Sequence, residues 1–436
     1  MSAAALGFAL LFVLLLARLP IALAMLLAGG AGYAALVGVA PLLSVLKTQL
    51  FYQFLNYDLA VIPLFLLMGN LAARTGLSAA LFRAASAWLG HFRGGVAMAT
   101  IGGCAGFATV CGSSLATAAT IAQVALPELR RKGYSGALST GTLAAGGTLG
   151  ILIPPSFVLI VAAVIVEANI ETLFQAALLP GLIAAGGYLG AIAFTVRLNP
   201  GSGPPGTRAS RSERWASLVA VWPVAGLFLL VIGGIYAGWF TPNQAAAVGV
   251  IAALIHALAI GRLGLSGLIE AFTATAGATA MIFLIIFGAG VFAAFLGFTR
   301  LSFTLAQALD GAGLAPLAVL TLMIVLFLLL GCVMDSLSMI LLFMPIFWPI
   351  LKGLDFGLGP EELKIWVSIL VLMVVEVGLI TPPVGLNVFV INALARDVPM
   401  SETFKGIAPF LMTDLARIVV LVALPGLTLV LPRLLG

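Results

Sequence analysis

Two proline pairs, each inside a long apolar run, are the residues of this chain best suited to chemistry: Ile153-Pro154-Pro155 and Thr381-Pro382-Pro383. A Pro-Pro pair removes two amide donors and drives the preceding residue out of the α region, so a helix passing through either pair must break there. Pro154, Pro155, Pro382 and Pro383 are thus read as helix-breaking residues. Carbonyls freed at such breaks, together with the hydroxyls of Ser156 and Thr381, can replace the water around a hard cation such as sodium, and half-helix C-terminal ends add negative dipole.

Two short clusters supply the complement. Gly112-Ser113-Ser114 and Asp335-Ser336 bring small and hydroxyl-bearing residues to turns within apolar sequence. Helices starting at those turns would aim amide donors at an anion. The pattern predicts one sodium site per cluster with an anionic substrate between them, touched by Thr117, Thr148, Ser338 and Asn387. The plainer alternative is that the prolines make kinks and the hydroxyls bond neighbouring helices. Recurrence of break and cluster in the same order argues for the ion sites.

Three acids fall within apolar sequence, where an ionisable residue is a functional suspect: Asp335, Glu376 and Asp414. Asp414 has a partner one turn on in Arg417. Glu376 has two readings: it helps hold a cation or carries a proton, or it ties the broken helix to a neighbour.

Other chemistry is scarce. Cys104, Cys111 and Cys332 lack CxxC spacing and read as small packing residues. Gly133-Tyr134-Ser135-Gly136 has the GxSG pattern of intramembrane serine proteases, but it adjoins Arg130-Arg131-Lys132, and only His91 and His256 are available as base. There is no Walker loop, and the net charge of +5 is spread over loops with no nucleic-acid signal. The chain is not expected to be an enzyme.

The elements that position these residues must live in lipid. Of 436 residues 62% are hydrophobic and 8% charged, which cannot clothe a water-soluble globule. At roughly 20 apolar residues per crossing, the sequence has room for about ten to twelve segments, an all-α polytopic membrane protein. Met1 to Pro20 resembles a signal peptide, but no positive residue precedes the apolar run, so a retained first helix is expected.

Self-similarity organises the rest. Gly150-Ile151-Leu152-Ile153-Pro154-Pro155-Ser156 matches Gly378-Leu379-Ile380-Thr381-Pro382-Pro383-Val384, and the same offset pairs Gly103-Cys104 with Gly331-Cys332. The expected division is a first repeat at 1–198, a polar cytoplasmic linker at 199–214 and a second repeat at 215–436. The basic groups Arg130-Arg131-Lys132 and Arg197, Arg208, Arg211, Arg214 belong on the cytoplasmic side. The stretch from Gly94 to Leu126 is too short for two crossings, which would need about 40 residues. It reads as a re-entrant hairpin at about 94–126, followed by a broken helix at about 137–167. The second repeat has its hairpin at about 314–350 and its broken helix at about 363–395, with inverted topology. Both termini then face the periplasm. Leu77 to Phe92 and Leu301 to Gly311 read as interfacial helices before each hairpin.

Four stretches in order carry a resemblance: Cys111-Gly112-Ser113-Ser114-Leu115-Ala116-Thr117-Ala118-Ala119-Thr120, Ile153-Pro154-Pro155, Phe240-Thr241-Pro242-Asn243-Gln244-Ala245-Ala246-Ala247 and Gly378-Leu379-Ile380-Thr381-Pro382-Pro383-Val384-Gly385-Leu386-Asn387. Together they resemble the large membrane subunit of tripartite ATP-independent periplasmic (TRAP) transporters over essentially the whole chain. The resemblance implies an elevator-type ion-transporter fold in the bacterial inner membrane and sodium-driven uptake of a small organic acid. It also implies two partners, a periplasmic substrate-binding protein and a small four-helix membrane subunit, here on a separate chain. By the family pattern sodium falls at Gly112, Ser113 and Ser114 with Gly150, Ile153 and Ser156, and at Asp335 and Ser336 with Gly378, Thr381 and Val384; Gly385 joins the substrate set. The rival reading is a stand-alone sodium/anion symporter of the same fold without a binding protein. A channel would need no sodium coupling.

Overall fold

The computed structural model describes residues 2–261 and 263–435. Among them the regular structure is entirely helical. Six helices are long and apolar enough to cross a membrane, or seven if the bent pair Gly136–Leu152 and Phe157–Val166 is one span. That is fewer than ten to twelve, because much of the apolar sequence lies in shorter helices that meet at turns and breaks.

The outer helices carry their apolar side chains outward, as lipid-facing helices must. Arg211–Phe228 begins at a Ser210 capping box with Glu213, and its helical path continues to Tyr236. Trp215 near its start and Trp239 just beyond its end are both exposed, an arrangement suited to the two membrane interfaces. Leu265–Thr299 packs along Ile21–Val37 through small residues: a Cβ on Gly29 would lie 2.6 Å from the Phe292 Cα. Close backbone approach through glycine is how helices associate where lipid offers no hydrophobic drive. Ser2–Leu16 packs on the same pair, burying Ala4 and Leu11.

At the centre lie helices with no polar face. Gly136–Leu152 is buried at every residue from Leu138 to Leu152, and Pro360–Gly378 at every residue from Ile365 to Gly378. A helix apolar or small all round is stable only when surrounded. Both end at the proline pairs. Ile153 is extended at φ −95° and ψ 120°, as a residue before proline should be, and Ser156 restarts the chain as the cap of Phe157–Val166. The two halves of that pair diverge by 48°. The second path resumes at Leu386–Leu394.

Two helical hairpins flank these breaks, Gly95–Cys111 with Ser114–Arg131 and Pro316–Gly331 with Ser336–Leu351. Helices Leu77–Leu89 and Leu301–Gly311 precede them. The packing is crossed. Ser114–Arg131 lies against Leu386–Leu394, and Ser336–Leu351 against Phe157–Val166, so each hairpin rests on the helix that follows the other half's break.

The stretch after Leu198 is more ordered than linker composition suggests. Gly94 and Ser135 donate backbone N–H to Gly203 and Ser202 carbonyls at 2.8 and 2.9 Å, and Gly206 donates to Gly90 at 2.9 Å. Its last residues, from Arg211, already belong to the next helix.

Candidate functional site

The two hairpin turns share a capped helix start but reach it through different residues. Gly112 takes φ +64°, a left-handed backbone that glycine adopts without penalty. Ser113 then caps Ser114–Arg131, its Oγ accepting the Ala116 N–H at 3.4 Å. At the other turn Asp335 caps Ser336–Leu351: its carboxylate accepts the Ser338 N–H at 3.1 Å and the Ser338 hydroxyl. Asp or Ser at the cap satisfies amides that a helix start leaves free.

Each turn seats on a break. A Cβ on Gly112 would stand 3.0 Å from the Pro155 carbonyl oxygen, and one on Gly150 would run into the Ser113 carbonyl and stand 2.6 Å from Thr117 Oγ1. At the second break Gly378 touches Gly331, and Gly385, at φ +64°, donates its N–H to the Cys332 carbonyl at 3.1 Å. Val384 stands half-buried between Pro383 and Gly385.

Around Gly147 and Gly150 the first break gathers oxygen. The Ser113 and Ser114 carbonyls and Thr117 Oγ1 approach this glycine face, and Asn387 meets it through its Nδ2. Thr117 Oγ1 is buried with only the weakly bonding Cys111 thiol beside it, and Asn387 Oδ1 is buried and meets no hydrogen-bond partner among the described residues, although Asn387 Nδ2 donates to the Ala144 carbonyl at 3.1 Å. Buried oxygens without a donor are what a dehydrated cation needs. Thr117 and Asn387, expected at the substrate, thus lie against Gly150 and Gly147, and Gly150 is a residue expected at the first cation. Ser156 is fully buried, its Oγ accepting the Leu159 N–H at 3.5 Å, and Thr381 donates its hydroxyl to the Val377 carbonyl at 2.6 Å.

The two turns face one cavity of about 590 Å³, walled by Ser113 and Leu115 from one hairpin and Asp335 and Leu337 from the other. Asn70 also lines it, donating to Thr275 Oγ1 at 2.9 Å. Thr148, Ser338 and Asn387 are not in its wall. Thr148 instead meets the Tyr188 hydroxyl at 2.8 Å, and Tyr188 donates to Asp414 at 2.8 Å. Asp414 in turn pairs with Arg417 at 2.7 Å, as their spacing suggests.

The feature least legible in the sequence concerns Glu376. Its carboxylate is wholly buried and accepts two hydroxyls, one from Ser114 and one from Ser336 at 2.7 Å. The alternative that tied the broken helix to a neighbour is therefore realised, to both hairpins at once. The protease-like Ser135 is a helix cap, accepting the Leu138 N–H at 3.3 Å. All three cysteines are free thiols.

These halved helices and paired turns belong to the polytopic membrane carriers, and the comparisons agree. Residues 8–427 match the family described as the tripartite ATP-independent periplasmic transporter, DctM component. The chain is 35% identical over 393 residues to the C4-dicarboxylate TRAP transporter large permease protein DctM of Pseudomonas aeruginosa, covering 90% of each. It is 30% identical over 380 residues to the sialic acid TRAP transporter large permease protein SiaM of Vibrio cholerae, covering 87% of each. The solved YdaH transporter of Alcanivorax borkumensis shares the fold, with a TM-score of 0.64 at 17% identity over 89% of this chain and 88% of that one. The protein belongs to the TRAP transporter large permease family: it is a multi-pass membrane permease and not an enzyme.

Proposed function

We propose that this permease carries a small organic acid inward across the bacterial inner membrane, driven by sodium. The observation that carries the reading is the convergence of two capped helix starts on one cavity, each turn seated on a helix break, with Asn387 Oδ1 buried and unpartnered among the described residues. Helix N-termini at Ser114 and Ser336 suit a carboxylate, and freed oxygens suit the cation. Sodium is coupling ion and cargo, held by Gly112, Ser113, Ser114, Gly150, Ile153 and Ser156 in one set and Asp335, Ser336, Gly378, Thr381 and Val384 in the other. Relatives that carry C4-dicarboxylate or sialic acid in their names support the substrate class.

Family membership supports two partners, a periplasmic substrate-binding protein that delivers the acid and a small four-helix membrane subunit. It equally supports an elevator motion of hairpins and broken helices between two inverted repeats, with both termini periplasmic. The deciding experiment is uptake of labelled organic acids into proteoliposomes holding this chain, the small subunit and the binding protein. Uptake requiring both an inward sodium gradient and the binding protein is expected. Sodium-driven uptake without the binding protein would favour a stand-alone symporter, and flux indifferent to sodium would end the coupling reading.

A further inference from the structure

Ser114 and Ser336 are the first residues of their helices, directly after the caps Ser113 and Asp335. Both donate their hydroxyls to the two oxygens of one carboxylate, Glu376, two residues before the Gly378 break. No other side chain joins both hairpin turns to a broken helix among the hydrogen bonds of the described residues. Burying a carboxylate in apolar surroundings is costly unless it is well bonded. A neutral amide of the same shape would be cheaper to bury, but it presents an oxygen at one of these two positions and an N–H₂ at the other, so in this geometry it could accept from only one of the two hydroxyls. The carboxylate is what lets both serines act as donors.

That direction matters for an ion. A hydroxyl that gives its proton to a carboxylate turns its lone pairs outward, and its oxygen gains electron density, as ligands backed by a carboxylate do at metal sites. We infer that Glu376 is a positioning residue shared by the two hairpin turns: acting through Ser114 and Ser336, it orients both hydroxyl oxygens toward cations and makes sodium affinity at one turn depend on the other. This rests on the sodium-coupled reading above. In Glu376→Gln one serine must accept from the amide and turn its proton outward, which penalises a cation on that side. In Ser114→Ala the carboxylate keeps one partner and is free to follow Ser336, so the second turn feels a change made at the first.

The test uses the full complex in proteoliposomes, reading the sodium concentration for half-maximal uptake and its Hill coefficient, with sodium-induced thermal stabilisation of the purified permease as an independent readout. Glu376→Gln is expected to raise half-saturating sodium at least tenfold and bring the Hill coefficient toward one, leaving substrate KM at saturating sodium within about twofold. Glu376→Asp should recover part of the loss. Ser114→Ala and Ser336→Ala should each weaken sodium, and together by less than the product of their separate effects. A monodisperse Glu376→Gln with wild-type sodium dependence would overturn the inference. Should that variant not fold, the serine pair decides, since independent, multiplying effects would overturn it as well. Wild-type protein that neither needs sodium nor is stabilised by it would remove the coupling reading and this inference together, whereas a sodium-dependent wild type with unaltered variants removes the inference alone.

Discussion

Gly331 and Gly378 meet backbone to backbone: a Cβ added at 378 would lie 2.6 Å from the Gly331 Cα, and one at 331 would lie 3.1 Å from the Gly378 Cα. The end of the second hairpin's first helix thus seats on the end of the broken helix with no room for a methyl group. Both partners at this contact are main chain, so neither can rotate away. Gly378→Ala is expected to destabilise the permease by about 1–3 kcal/mol, the usual cost of overpacking, seen as a lower melting temperature in detergent. An unchanged melt would mean that the two helix ends separate freely.

Thr148 tests the direction of a side chain. Its hydroxyl is spent on the Ala145 carbonyl and Tyr188, inside the chain that continues to Asp414. Thr148→Val should lower stability by about 1 kcal/mol, the net worth of a hydrogen bond, while leaving substrate KM unchanged. A KM several-fold higher in a stable Thr148→Val protein would return Thr148 to the substrate.

For Thr117 two opposite signs are expected. Its Oγ1 is buried with only the weakly bonding Cys111 thiol beside it, 2.6 Å from where a Cβ on Gly150 would sit. Thr117→Val removes a poorly satisfied buried oxygen, so the sodium-free protein should melt higher, and the same change should raise half-saturating sodium. Melting in choline and in sodium salts reads both. A variant that melts lower in both salts would show that the hydroxyl serves packing alone.

Asp414 and Arg417 form a pair almost wholly out of solvent, with side-chain exposures of 2% and 4%. Breaking such a pair strands a charge, whereas replacing both members removes the charge altogether. Asp414→Asn or Arg417→Met alone should cost about 3–5 kcal/mol, judged by loss of monodisperse protein. The double replacement Asp414→Leu with Arg417→Met should recover much of that. Equal damage in single and double variants would mean that the pair holds the helix in a way apolar packing cannot.

What could be read without coordinates followed from local chemistry. Pro154 and Pro382 lie at helix breaks because a proline lacks an amide and crowds its predecessor. Gly112, Ser113 and Asp335 mark turns because each suits a left-handed or cap position in its own right. Register between distant segments was less accessible. Gly103-Cys104 sits in mid-helix, while Gly331-Cys332 lies at a turn, so the common offset holds at the breaks and fails at the hairpins. The residues that share a role are Ser113 with Asp335 and Ser114 with Ser336, and the longer connection Lys352–Gly359 shifts the numbering between them. Likewise Asn199 to Gly206 has linker composition, yet its carbonyls and amides are taken up by Gly90, Gly94 and Ser135.

By itself the sequence determined the solvent, the helical class, the places where helices stop and the residues that start the next ones, since each depends on a handful of neighbours along the chain. Only the tertiary structure decided what those ends face: that Thr148 turns to Tyr188, that Thr117 and Asn387 share one glycine face, and that Glu376 joins Ser114 and Ser336. Those choices are made between residues far apart in the chain, 262 positions for Ser114 and Glu376, where one helix can present its side chains to several neighbours and only the packing of all of them selects the one it meets.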